Sequence, residues 1–161
     1  MSATFAKGTK VPAESTRLEI EKLVGDRGAE AFAFALEGDR AKIAFRLQGR
    51  ALRFNLPLPT LEEERFQRVQ RGLHSHARTP TAARNAWMQA TREAWRALLL
   101  CIKAKFTAIE GGIVTFDEEF LAHVVMPDGR TVGEIAREQL ALTYKAGEQP
   151  PLLLDYTKGA R

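Results

Sequence analysis

A single cysteine, Cys101, stands among the 161 residues, which excludes an intramolecular disulfide and points to a reducing compartment. Long apolar runs are also missing. The longest, Ala97 to Ile102, is closed by Lys103 and Lys105, far short of the ~20 residues that span a bilayer. Met1-Ser2-Ala3-Thr4 leads into no apolar signal core, so the expectation is a cytoplasmic protein without a membrane segment. The glycine-rich phosphate loop, the dinucleotide fingerprint, the zinc-protease helix, the nucleophile elbow and the paired-cysteine motif are all absent, and no cofactor is expected. His74-Ser75-His76 lacks the second ligand pair of a zinc signature, so no metal site is assigned, and Cys101 between Leu100 and Ile102 reads as a small buried hydrophobe. Without a catalytic constellation, the reading is of a non-enzymatic protein.

What the chain does have is an ordinary globular composition, 45% hydrophobic and 27% charged, at a length suited to one domain. The net charge of +4 conceals a gradient: residues 1–112 sum to +7 and residues 113–161 to −3. Anionic partners should therefore meet the first two thirds of the chain preferentially.

The pattern predicts an α+β fold: a helix, a three-stranded antiparallel meander, a long helix, then two shorter C-terminal helices, all in a single domain over 1–161. Residues 1–6 carry no period and are expected to fray. A helix opens at Pro12, carries Leu18, Ile20, Leu23 and Val24 as its apolar stripe, and stops at Gly25 or Gly28. From Ala31 the period becomes two. Phe32, Phe34 and Leu36, then Ile43, Phe45 and Leu47, then Leu52, Phe54 and Leu56 alternate with small or basic residues, and the glycine-containing turns between them permit only antiparallel neighbours. Thr60 with Glu63 can cap a short helix over about Leu61 to Gln70, and about 71–78 reads as a flexible linker. Thr79 or Thr81 opens the long helix, whose apolar positions from Trp87 to Ile109 recur at three and four until Gly111-Gly112. Thr115 with Glu118 and Thr131 with Glu134 are capping-box patterns for two further helices, the second running to about Tyr144. Asp117-Glu118-Glu119 then complement a helix N-terminus rather than catalyse. A tail over about 149–161 carries Leu152-Leu153-Leu154 behind two prolines.

The remaining signal is a distribution of cations. Lys42, Arg46 and Arg53 fall on the sheet face opposite the phenylalanines, Arg40 and Arg50 stand near its turns, and Arg92, Arg96 and Lys103 follow one edge of the long helix. These eight residues are the candidate nucleic-acid-binding set, gaining affinity from phosphates by counterion release. Against that reading, the aromatics on which bases would stack share the core face, and Ala31, Ala33, Ala35, Ala44 and Ala51 leave a smooth outer face suited to a protein. The expected function is a nucleic-acid-binding accessory of phage replication or recombination, with DNA preferred to RNA. The alternative is a protein-binding module, such as a phage inhibitor of a host enzyme or defence system or a subunit of a phage assembly. A homo-oligomer is compatible with either.

Three resemblances bear on this. The order of helix, meander and long helix resembles double-stranded-RNA-binding domains, with Arg84, Arg92 and Arg96 loosely echoing their basic last helix, and also resembles single-strand annealing proteins of the phage recombinase type. The phrases Lys7-Gly8-Thr9-Lys10-Val11-Pro12, Gly38-Asp39-Arg40-Ala41, Leu56-Pro57-Leu58-Pro59, Glu118-Glu119-Phe120-Leu121 and Pro127-Asp128-Gly129-Arg130-Thr131-Val132 resemble a family of small uncharacterised bacteriophage and prophage proteins. That likeness implies a setting, the host-cell cytoplasm, rather than a mechanism.

Overall fold

The computed structural model describes residues 6–71 and 74–145. The first five residues, residues 72 and 73 of the expected linker, and the expected tail at 149–161 lie outside them. The order is helix α1 (Ala13–Gly25), strands β1 (Ala31–Glu37), β2 (Arg40–Leu47) and β3 (Arg50–Pro57), a one-turn helix α2 (Glu64–Gln67), strands β4 (Arg68–Arg71) and β5 (His74–Ala77), the long helix α3 (Pro80–Glu110), and the shorter helices α4 (Phe116–Phe120) and α5 (Val132–Lys145). The α+β architecture expected from the pattern is present. The meander has the order β1-β2-β3, antiparallel throughout. Gln48 (φ 50°) and Gly49 (φ 72°) both take the left-handed region between β2 and β3, the backbone of a turn whose twist matches its flanking strands.

One face of the sheet is the core. Ile43, Phe45, Leu47, Leu52 and Phe54 are buried there against Ile20 and Val24 of α1, Trp95, Leu98, Leu99, Ile102 and Phe106 of α3, and Phe120 of α4. Helix α3, about 46 Å long at 1.5 Å per residue, starts on a Thr79 side chain that accepts the Ala82 N–H and carries Pro80 in its first turn. The α1 stripe is set by Thr16, Ile20 and Val24, whereas Leu18 is exposed, because positions four apart share one face and Leu18 is offset from that line. Cys101 is likewise exposed, not buried: Leu98, Leu99, Ile102 and Phe106 hold the core stripe of α3, and residue 101 turns away from it.

Three further expectations change. Ala6 is buried rather than frayed, and the Gly8 N–H and Thr9 carbonyl bond to Glu93 and Gln89 of α3. The helix anticipated over about Leu61 to Gln70 with a Thr60 cap is a single turn, Glu64–Gln67, that follows Glu63 and has no side-chain cap. In place of a linker over about 71–78, β5 pairs with β4 in a small ribbon, with Arg68 donating to the Ser75 side chain and carbonyl.

After α4, a short 3-10 turn at Leu121–His123 brings Val124 and Val125 alongside β3, and Val125 donates to the Ala51 carbonyl. Among the described residues the β3 edge of the sheet is thus partly occupied, while the β1 edge has no neighbour.

Candidate functional site

The register arranges the outer face in cross-strand rows: Ala31–Arg46–Ala51, Ala33–Ala44–Arg53, Ala35–Lys42–Asn55 and Glu37–Arg40–Pro57. Strand parity therefore brings Arg40, Lys42, Arg46 and Arg53 together. Arg50 is not among them. It pairs with Leu47 in the core-side register, and its guanidinium lies 3.4 Å from Asp117 at the start of α4. The three helix cations belong to the layer on the other side of the sheet. Arg96 is bound to Glu19 of α1 at 2.8 Å, Arg92 donates to Gln89 at 2.7 Å, and Lys103 is exposed on α3.

Charge pairing changes what the sheet cations offer. Lys42 is paired with Glu37, Arg53 with Glu134 at 2.7 Å, and Arg40 stands 3.9 Å from Asp39. The hydrogen bond from Lys42 holds the Glu37 carboxyl below its usual range. Among the described residues, Arg46 alone of these four has no carboxylate partner. A phosphate at Lys42 or Arg53 would compete with a carboxylate already in place, whereas Asp39 stands at the outer limit of ion-pair distance from Arg40. The alanines around Arg46 leave an open depression of about 330 Å³, lined also by Val125.

Beside β3 the outer face turns into a cleft. Thr131 and Glu134 form the expected reciprocal cap of α5: the Thr131 N–H donates to Glu134 at 2.7 Å and the Glu134 N–H to the Thr131 hydroxyl at 3.2 Å. The same carboxylate accepts Arg53 at 2.7 Å and Asn55 at 3.0 Å, and Arg53 also donates to the Gly129 carbonyl at 2.7 Å. One acidic side chain thereby clamps α5 to the sheet. The Thr131 N–H, seconded by the Arg53 charge, keeps its carboxyl below the usual range. Arg40, Arg53, Asn55, His123, Glu134 and Arg137 line a cleft of about 410 Å³ beneath this clamp.

His123 closes the floor, its ring stacked on Phe54 at 3.9 Å between centroids. Burial and then the Lys105 charge push its pKa below the ordinary histidine value, against the pull of a hydrogen bond to the Arg53 backbone. Protonation is therefore harder in the folded than in the unfolded chain, so stability is complete above the unfolded value and falls as pH drops from about 6.5 towards the lower folded value. We expect the urea midpoint to decline over that interval in the native chain and less in His123→Phe. Equal slopes for the two would show that another group carries the dependence.

A third surface lies at the free edge of β1. Phe34 rests on Trp95 (5.6 Å between ring centroids) with the Arg17 guanidinium above it, and Leu36 is 64% exposed. Phe34, Leu36, Leu58, Trp87 and Trp95 line a groove of about 290 Å³, and a second depression of about 360 Å³ shares Leu36, Leu58 and Trp87 and continues to Leu61. Trp87 is fixed by its indole N–H donating to the Pro59 carbonyl at 2.8 Å. The β1 sequence Ala-Phe-Ala-Phe-Ala-Leu-Glu carries none of the lysine, arginine or proline that blunts an exposed edge.

Among the described residues no cluster of three or more histidine, cysteine, aspartate or glutamate side chains could hold a metal ion, and His74 and His76 are exposed with ring centroids 6.4 Å apart. No helix among them is long and apolar enough to cross a membrane. No protein-family model, curated protein or solved structure matches the chain.

Proposed function

We propose that this protein is a protein-binding module that receives an extended segment of its partner along β1. The observation that supports this reading is the free β1 edge with open apolar surface on both sides, alanine outside and the Phe34–Leu36–Trp87 groove inside. An added strand would find unpaired backbone groups at the edge, and its alternate side chains would enter the groove. Arg46, without a carboxylate of its own, supplies a polar contact beside the alanines.

The test is capture of partners from nuclease-treated lysate by the full chain and by Leu36→Lys, which places an inward charge on the edge strand at an exposed position. The expected result is a protein retained through nuclease treatment and depleted roughly tenfold by the substitution, the effect of a lost ~1.4 kcal/mol contact. Self-association of the native chain that Leu36→Lys abolishes would identify the partner as a second copy. Disappearance of every partner on nuclease treatment, or equal capture by both chains, would overturn the reading.

The uncommitted charge of Arg46 favours a second reading, a nucleic-acid-binding accessory of phage replication or recombination. On that reading anisotropy titrations with single- and double-stranded DNA and RNA show salt-dependent binding that Arg46→Glu weakens across all sequences.

A further inference from the structure

We propose that the cleft between β3 and α5 is a binding site for a phosphate monoester, gripped by the guanidinium groups of Arg40 and Arg137 over a floor of Asn55 and Arg53. This site is separate from the β1 edge. Three arginines line the cleft against one carboxylate, Glu134. Both oxygens of that carboxylate are committed, one to Thr131 and Arg53 and the other to Asn55. Glu134 thus offsets Arg53. Arg40 has Asp39 at 3.9 Å and faces, across the strand pair, Glu37, whose carboxylate is bound to Lys42, and no carboxylate is paired with Arg137 among the described residues. Glu138, the other acid on this part of α5, is turned to Arg130 at 3.3 Å. Burial, seconded by the Lys105 charge, disfavours the charged form of His123.

Two guanidinium groups are consequently left without close neutralisation around a cavity of about 410 Å³, a size within the ~300–1,000 Å³ of small-molecule sites. The remaining wall, Pro57, Ala122 and Gly133, offers no competing acid. A dianion answers two cations, where a carboxylate would answer one. The three terminal oxygens of a phosphate monoester also accept the paired N–H groups that a guanidinium presents in a fixed fork.

The experiment is a nuclear magnetic resonance titration of the full chain with adenosine 5′-monophosphate, inorganic phosphate, adenosine, and an oligonucleotide lacking terminal phosphates. The expected result is saturable shifts of the Asn55 side-chain amide and the arginine Nε–H signals with the first two and none with adenosine. Arg40→Ala and Arg137→Ala each weaken binding roughly tenfold, as loss of a charge-assisted hydrogen bond should. Lys22→Ala, an exposed cation of α1 outside the cleft, leaves phosphate binding unchanged. Neither Arg40 nor Arg137 supports the core, so unchanged spectral dispersion confirms the fold of each variant. Absence of saturation by about 10 mM ligand, a range that still detects millimolar affinity, would overturn the proposal. So would equal affinity in the double variant, or the oligonucleotide binding as tightly as the monophosphate, which would assign the cations to a nucleic-acid backbone. Failure here leaves the β1 edge untouched, since Leu36→Lys probes a different surface.

Discussion

Phe120→Ala lowers the stability of the fold by about 3–5 kcal/mol, the cost of removing a large ring from a core that can only partly collapse. Phe120 belongs to a five-residue helix that could not persist alone, yet its side chain is fully buried. Its ring centroid lies 5.0 Å from Phe116, 5.2 Å from Phe106, 6.3 Å from Phe54 and 6.4 Å from Phe45, so one side chain joins α3, α4, β2 and β3. The two contacts with the sheet are edge-on, the arrangement in which the positive rim of one ring meets the negative face of another. Chemical unfolding in urea measures the loss as a fall of about 1–3 M in midpoint at unchanged slope. A loss below about 1 kcal/mol would mean that α4 is not held to the sheet through this ring.

The parts of this fold visible in the sequence are those fixed by neighbouring residues. Alternation of Phe and Leu with Ala and Arg defines the three strands, and because the side-chain period is two it also defines which residues share a face. The Thr–Glu spacings at 115 and 118, and at 131 and 134, become hydrogen-bonded caps for the same reason. What escaped depends on residues far apart. The ribbon of β4 and β5 has no alternating apolar residues to announce it: His74-Ser75-His76-Ala77 is exposed throughout and is held by backbone pairing and Arg68. Arg53 reads as a free cation until Glu134, 81 residues away, is placed against it. Arg50 could have been separated from Arg46 and Arg53 by parity, since it is even-numbered with Leu52 and Phe54; its nearness to a turn obscured that. Arg137 carried no local signal, because only the docking of α5 brings it to the same cleft as Arg40.

That docking combines the Glu134 clamp with one close approach, at Gly133, which a larger residue would remove. A Cβ built at Gly133 would lie 2.8 Å from the Ala122 carbonyl oxygen and 3.2 Å from the Ala122 Cβ, and the nearer neighbour is backbone that cannot swing aside. Alanine and leucine are both better helix formers than glycine, by roughly 0.8–1 kcal/mol, so any loss of stability in these variants comes from the interface rather than from α5 itself. We expect Gly133→Ala to weaken the docking and Gly133→Leu to release the helix, at an overpacking cost of about 1–3 kcal/mol. Release separates Glu134 from Arg53 and Asn55, leaving Arg53 without its carboxylate and carrying Arg137 away from Arg40. Two measurements should therefore move together across the series Gly, Ala, Leu: faster hydrogen exchange of the α5 amides and weaker binding of phosphate in the cleft. The β1 edge lies outside this contact, so on the reading proposed for it, capture of a partner there should be equal in all three. If Gly133→Leu keeps native exchange protection in α5, the helix tolerates a side chain where the structure leaves no room. The cleft would then not depend on this approach for its shape.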